Sequence, residues 1–351
     1  MVILSKFKSL FKNYKKVWVL GILFCLAALV AVGITQLRQP SPQLTVLPSL
    51  SAPAVATEPI QPIPLKLELD ENKVELGDKL FHDPKLSTND TVSCATCHLL
   101  DKGGTDRLIA SKGMAGSNVG LNSPTVFNSG FHPKLNWDGG ANTLEEQIDG
   151  PISKAKEMGG MSWSDIVNKL KSSPEYVALF REAYGEKINS DNIKSAIATF
   201  QRSLYTPNAP FDQYLRGDEN AIPPVAKEGY GLFKSYGCVT CHQGMLVGGN
   251  MFQTLGIFDD YFADRGNVVK ADLGRYNVTG DERDRHVFKV PSLRNITLTS
   301  PYLHDGNAKT LAEVIKIMGK YQLGVNIPQD DVDKIVMFLN TLTGEYKGKP
   351  L

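Results

Sequence analysis

The clearest hydrophobic periodicity falls late in each half of the chain. Ile193, Ala196, Ile197, Phe200 and Leu204 recur at the spacing that gathers side chains on one face of an α-helix, with Ser190 or Asp191 where a cap is expected. Val332, Ile335, Val336, Leu339 and Leu342 repeat the pattern near the end. Thr310 can cap a shorter helix that carries Leu311, Val314, Ile315 and Met318 on one side. Apolar stretches at 76–81 and 228–233 predict two further helices in corresponding places. Alternation of apolar and polar positions, the mark of half-buried strands, is scarce. Asn208 to Pro224 is rich in turn formers and marks a seam between two weakly similar halves. The expectation is a mainly α body with helical domains at 67–210 and 211–346.

Ahead of these the pattern changes. Val17 to Leu37 is an uncharged run of 21 residues between Lys15-Lys16 and Arg38. About 20 apolar residues span a bilayer core, whereas the core of a signal peptide runs to about 7–15. The five lysines before the run place residues 1–16 in the cytoplasm by the positive-inside tendency. A retained transmembrane anchor at 17–37 is expected, with a cleaved signal as the alternative; either sends the body out of the cytoplasm. Residues 38–66, with prolines at 40, 42, 48, 53, 59, 62 and 64, read as an extended tether.

Composition changes this picture little. The chain has 351 residues, 42 % apolar and 21 % charged, as in a globular protein. The first 38 residues hold six of the 38 basic residues and no acid, so the rest is mildly acidic despite a net charge of +1. That argues against nucleic acid and permits a basic protein partner.

Cysteine placement changes it a great deal. Of five cysteines, four lie in Cys94-Ala-Thr-Cys97-His98 and Cys238-Val-Thr-Cys241-His242. Cys-x-x-Cys-His is the attachment signature of c-type haem. Each thiol adds to a porphyrin vinyl group, and the histidine reaches the iron as proximal ligand. A thioredoxin-like redox pair would want a surrounding βαβ pattern, which is absent. A zinc site pooling both motifs would leave two adjacent histidines unexplained. Cys25, alone in the apolar run, reads as a small hydrophobe. Two covalent haem c groups are therefore expected.

The residues around these motifs resemble the bacterial di-haem cytochrome c peroxidases from about Leu76 to Gly344. The matching segments are Leu76-Gly-Asp-Lys-Leu-Phe-His-Asp-Pro-Lys-Leu-Ser87, Asn122-Ser-Pro-Thr125, Trp137-Asp-Gly139, Gly150-Pro151 and Glu157-Met158. In the second half they are Phe211-Asp-Gln-Tyr-Leu-Arg-Gly-Asp218, Phe288-Lys-Val-Pro-Ser-Leu-Arg-Asn295, Pro301-Tyr-Leu-His-Asp-Gly306 and Met318-Gly-Lys-Tyr-Gln-Leu323. The resemblance implies two cytochrome c-like helical domains, each with one haem. Cys94, Cys97 and His98 would hold a low-potential peroxidatic haem. Cys238, Cys241 and His242 would hold a high-potential electron-transfer haem with Met318 as its distal ligand; a thioether stabilises ferrous iron. From its spacing alone, Met318 reads as core.

Further roles follow from the same resemblance. Glu157 would be the acid–base residue that manages peroxide protons, and Trp137 would lie between the haems. Asn122, Thr299 and Pro301 match positions that bind an interdomain calcium ion, the last two through carbonyls. The implied substrate is hydrogen peroxide, and the implied donor is a small cytochrome or the quinol pool. The implied location is the periplasm, anchored at the cell inner membrane, with a homodimer as the family's common state.

One position departs from the pattern. Well-known members have a histidine 16 residues after the first proximal histidine, which caps the peroxidatic iron at rest. Here that position is Met114, between Gly113 and Gly116. Either Met114 ligates, the iron stays open, or His132 substitutes; a mobile Met114 and an open site are expected. His82, His286 and His304 read as packing or surface residues. Two other functions remain in view. One is a plain di-haem electron carrier, against which Glu157 speaks. The other is a protein-oxidising relative like the enzyme that matures the tryptophylquinone of methylamine dehydrogenase. That enzyme's second haem has a tyrosine where this chain has Met318.

Overall fold

The computed structural model describes residues 58–351. The basic segment, the apolar run at 17–37, Cys25 and most of the Pro-rich stretch lie outside the described residues. Among the described residues, no helix is long and apolar enough to cross a membrane.

The first half is built from α1 (Glu71–His82), α2 (Leu144–Ser153), α3 (Trp163–Lys171), α4 (Pro174–Tyr184) and α5 (Ser190–Ser203). Asp70 and Thr143 cap α1 and α2 by accepting the N–H groups of Lys73 and Glu146. The cap of α5 is Asn189, which accepts the Asn192 N–H; Ser190 and Asp191 already lie in the first turn. The second half contains α6 (Pro210–Leu215), α7 (Pro224–Ser235), α8 (Leu311–Met318) and α9 (Gln329–Asn340). Thr310 caps α8 as its sequence predicts. Its hydroxyl accepts the Glu313 N–H, while the Glu313 carboxylate accepts the Thr310 N–H at 3.0 Å. Strands are few and short: β1 (Phe252–Thr254) pairs antiparallel with β2 (Val287–Lys289), and β3 (Glu345–Tyr346) with β4 (Lys349–Pro350).

Each half is organised by the crossing of two helices. Leu76, Leu80 and Phe81 of α1 bury against Ile193, Ala196, Ile197 and Phe200 of α5. In the second half, Ala226, Tyr230 and Phe233 of α7 bury against Val332, Ile335 and Phe338 of α9. A glycine sits at each crossing. A Cβ on Gly77 would fall inside the Ala196 carbonyl oxygen, and one on Gly229 inside that of Lys334. The helix ahead of each haem motif thus packs backbone to backbone on the long helix that closes its half. Gly77→Ala is expected to cost about 1–3 kcal/mol through overpacking. In urea unfolding, the midpoint falls while the m-value holds; an unchanged midpoint would show that α1 and α5 separate freely.

The two ends of the described chain cross over. Ile60 packs in the second core with Phe211, Ile222 and Tyr230, and Ile63 is fully buried. The Gly244 N–H donates to the Pro59 carbonyl (2.8 Å), and the Tyr230 hydroxyl to the Glu58 carboxylate (2.5 Å). The expectation of a tether running to residue 66 is therefore corrected. From 58 to 63 the segment is docked, because two apolar anchors between the prolines find a hydrophobic surface. Conversely, Tyr346 and Leu351 pack on the first core, with the rings of Tyr346 and Phe127 5.2 Å apart. The boundaries read at 67 and 346 follow the sequence halves, whereas the cores exchange their terminal segments.

A buried ion pair ties this exchange together. Arg294 and Asp212 lie 2.7 Å apart, at 1 % and 0 % side-chain exposure. Arg294 also donates to the carbonyls of Met245 and Gln61. Removing one partner of such a pair strands a desolvated charge and costs about 3–5 kcal/mol.

Candidate active site

Residues Cys94–Cys97 form a single helical turn, closed when the Ser93 N–H donates to Thr96 Oγ1 at 3.0 Å. A spacing of three residues places both thiols on one side of that turn. His98 leaves the helical conformation, its N–H still bonded to the Cys94 carbonyl at 3.0 Å. Its imidazole is held by Nδ1, 3.2 Å from the Gly104 carbonyl oxygen and 3.3 Å from Ser123 Oγ. With Nδ1–H donated to Gly104, the Nε2 lone pair is left for a metal. Burial pushes the His98 pKa down and so favours the neutral imidazole that a ligand must be.

The second motif repeats the arrangement. Gly237, in the left-handed region, leads into the Cys238–Thr240 turn. His242 Nδ1 lies 3.2 Å from the Val247 carbonyl oxygen, and burial pushes its pKa down to about 4. A cavity of about 490 Å³ opens over this motif. Cys238, Cys241, His242 and Met318 line it, together with apolar side chains of α7, α8 and α9. Met318 closes α8, at the end of the stripe its sequence spacing predicts.

These donors fit covalent haem better than zinc or a disulfide. All four motif thiols are unpaired. Burial pushes Cys94 up to about 12, and Cys97 and Cys238 up to about 11. A zinc site would gather three or four such donors on one point, and among the described residues those of the two motifs do not converge, whereas thioethers have no charge to bury. Among the described residues, three metal-ligating atoms converge only at Asp272, His304 and Asp305, and no cysteine of either motif belongs to that group. Arg265 already occupies that cluster, 2.5 Å from Asp272 and 2.6 Å from Asp305. His304 Nε2 lies 2.7 Å from Asp272, and His286 Nδ1 2.7 Å from its backbone oxygen, so both histidines are packing residues.

Met114 and Glu157 come together beside the first motif. The Met114 N–H is shared between the carbonyls of Lys156 (3.0 Å) and Glu157 (3.2 Å), and Ser117 Oγ donates to Lys156 at 2.6 Å. Met114 is partly buried on the first core. Without a Cβ, Gly113 presses on the Lys156 carbonyl, and the backbone bonds fasten the loop there. The Glu157 side chain is 19 % exposed and paired with Lys154 at 2.8 Å. The 112–114 segment links it to the first motif, since Cys97 Sγ lies 3.9 Å from the Lys112 carbonyl oxygen while the Met114 N–H bonds the Glu157 carbonyl.

Trp137 bridges toward the second motif. Its Nε1 donates to the Asn122 carbonyl at 2.9 Å, and it lines the 490 Å³ cavity. Ser123, next to Asn122, contacts His98 and lines that same cavity, so the 122–125 strip is the wall between the motifs. Asn122, Thr299 and Pro301 all line it too; the Asn122 Nδ2 donates to the Leu108 carbonyl at 2.8 Å. His132 does not stand in for the histidine replaced by Met114. It lies against Gly249 and Lys289 in the second cavity. Ser123, Gly104 and Lys289 were not singled out in the sequence, because nothing in residue type marks the partner that holds an imidazole.

The family described as di-haem cytochrome c peroxidase matches over residues 71–220. Cytochrome c peroxidase Ccp of Escherichia coli (strain K12) is 47 % identical over 84 % of this chain and 63 % of its own length, so the chain spans less than two thirds of that relative. Cytochrome c551 peroxidase of Nitrosomonas europaea is 45 % identical over 83 % of this chain and 85 % of its own. The fold is similar to the crystal structure of a MauG-like protein associated with microbial copper homeostasis. The TM-score is 0.71 at 30 % identity, covering 84 % of this chain and 95 % of that one. With two haem-binding donor sets on a shared helical frame, the chain belongs to the di-haem cytochrome c peroxidase family.

Proposed function

We propose that the chain is an oxidoreductase that reduces hydrogen peroxide to two waters, taking two electrons from a small cytochrome or a similar donor. The observation that carries this reading is the asymmetry of the two sites. A thioether, Met318, lines the second cavity, whereas a carboxylate, Glu157, belongs to the loop bonded to the segment beside Cys97. Bound haem supplies the redox-active iron at both sites. His98 and His242 offer Nε2 to that iron, each oriented by a backbone carbonyl on Nδ1. Met318, which lines the second cavity, would offer its thioether to that site's iron and so favour the reduced form.

Glu157 takes a proton as peroxide enters and returns it to the departing oxygen. Lys154 holds its carboxylate in place. Trp137, bonded to the 122–125 strip, couples the two sites. The first site is open at rest, a reading supported by Met114 standing where the resemblance expects the capping histidine.

Residues 17–37 anchor the chain in the cell inner membrane, with the haem domains in the periplasm. The apolar length of that run supports this placement. Asn122, Thr299 and Pro301 bind a calcium ion, a role supported by the family resemblance of those positions. The family resemblance supports a homodimer. The test of function is peroxide-dependent oxidation of a reduced small cytochrome by the holoprotein. Turnover is expected; its absence with both haems in place would leave an electron carrier or a protein-oxidising enzyme.

A further inference from the structure

Lys289 ends β2, opposite Phe252 of β1. Its N–H donates to the Trp137 carbonyl at 2.9 Å, which fixes its backbone beside the wall between the two motifs. The side chain turns into the cavity of the second motif, which it lines together with His132, and Nζ lies 3.4 Å from His132 Nδ1. An ammonium carries three donors, and His132 can accept one. Among the described residues, no carboxylate lies within ion-pair distance of Lys289, unlike the other ammonium groups around Asp264 or Asp149.

Burial alone pushes the Lys289 pKa down to about 8 and, with the neighbouring ammonium, that of His132 to about 3. Near neutral pH the pair is therefore a cation backed by a neutral imidazole. A cation facing an apolar cavity with unused donors is costly unless an anion meets it there.

The group proposed for this cavity brings its own anions, since a haem carries two propionate carboxylates. We infer that Lys289, backed by His132, anchors a propionate of the haem held at Cys238, Cys241 and His242, and through it raises that haem's reduction potential. Reduction adds one negative charge to the haem, so a fixed cation at its edge favours the ferrous form. Lys289 is a positioning residue, touching neither peroxide nor iron. Its backbone bond to Trp137 also places the anchored edge next to the residue that couples the two sites.

This inference rests on the second motif carrying haem c, and the experiment separates the two. Holoprotein with both haems would be titrated potentiometrically, following the second haem by its own absorption, in the parent chain, Lys289→Met and Lys289→Arg. The Met variant is expected to shift the ferrous-to-ferric ratio at fixed potential about tenfold toward ferric, a fall of about 59 mV for one electron. The Arg variant keeps that ratio within about twofold, because it restores the charge. Lys289→Gln serves in the same way should the Met variant fold poorly. An unchanged potential with both haems bound, or equal falls in the Met and Arg variants, overturns the inference. A protein that binds a single haem overturns the reading of the second motif instead.

Discussion

Glu157→Gln is expected to lower kcat/KM for hydrogen peroxide by about 10²–10⁴-fold, the usual contribution of a positioned acid–base group. The amide matches the carboxylate in shape and keeps a contact to Lys154, yet cannot take up a proton. The fold and both haems should be untouched, because Glu157 is on a loop, partly exposed and outside the buried core. Glu157→Asp, with the acid withdrawn by one methylene, should fall between the two. The measurement is steady-state peroxide turnover beside the absorption spectrum of the oxidised and reduced protein. A variant with full turnover would remove Glu157 from proton transfer and leave it a surface partner of Lys154.

Met318→Leu should strike the other site. Leucine keeps the volume at the end of α8 and its apolar packing, but offers the cavity no thioether. The second haem's potential is expected to drop by about 120 mV, which lowers its reduction by a given donor about a hundredfold. Turnover with reduced cytochrome falls accordingly, whereas peroxide reacting with chemically reduced protein is little changed. That split distinguishes a ligand from a core methionine: loss of packing would lower stability and leave the potential where it was. The test is potentiometry of the second haem beside donor-driven turnover.

How much of this was legible in the sequence varied with the range of the interaction concerned. Local signals carried well. The stripes of α5 and α9, the Thr310–Glu313 capping box and both haem motifs depend on residues within a turn or two of each other. The α5 cap lies one or two residues before the expected Ser190 or Asp191, because Asn189, Ser190 and Asp191 are all good cap formers and only backbone geometry chooses among them.

Long-range partners did not carry. Prolines between 39 and 66 suggested a tether, yet Ile60 finds its core in the other half of the chain, and the buried Ile63 meets Arg216 there through its carbonyl. The Arg294–Asp212 pair joins two segments that were matched separately. The glycines around Met114 gave no sign that Gly113 makes a close approach to the Lys156 carbonyl, where backbone bonds fasten the loop beside Glu157. Lys289 and His132 are 157 residues apart, and neither residue type alone marks an anion site.

The most direct test of the two-site account is electron paramagnetic resonance of the fully oxidised holoprotein, repeated after one electron equivalent per molecule. The account predicts one high-spin ferric signal, from the site at His98, already present before any electron is added. It also predicts one low-spin signal, from the site of His242 and Met318, which the added electron removes. Two low-spin signals at the outset, with high-spin iron emerging only after the electron, would contradict it and mean that Met114 or another side chain caps the first site at rest.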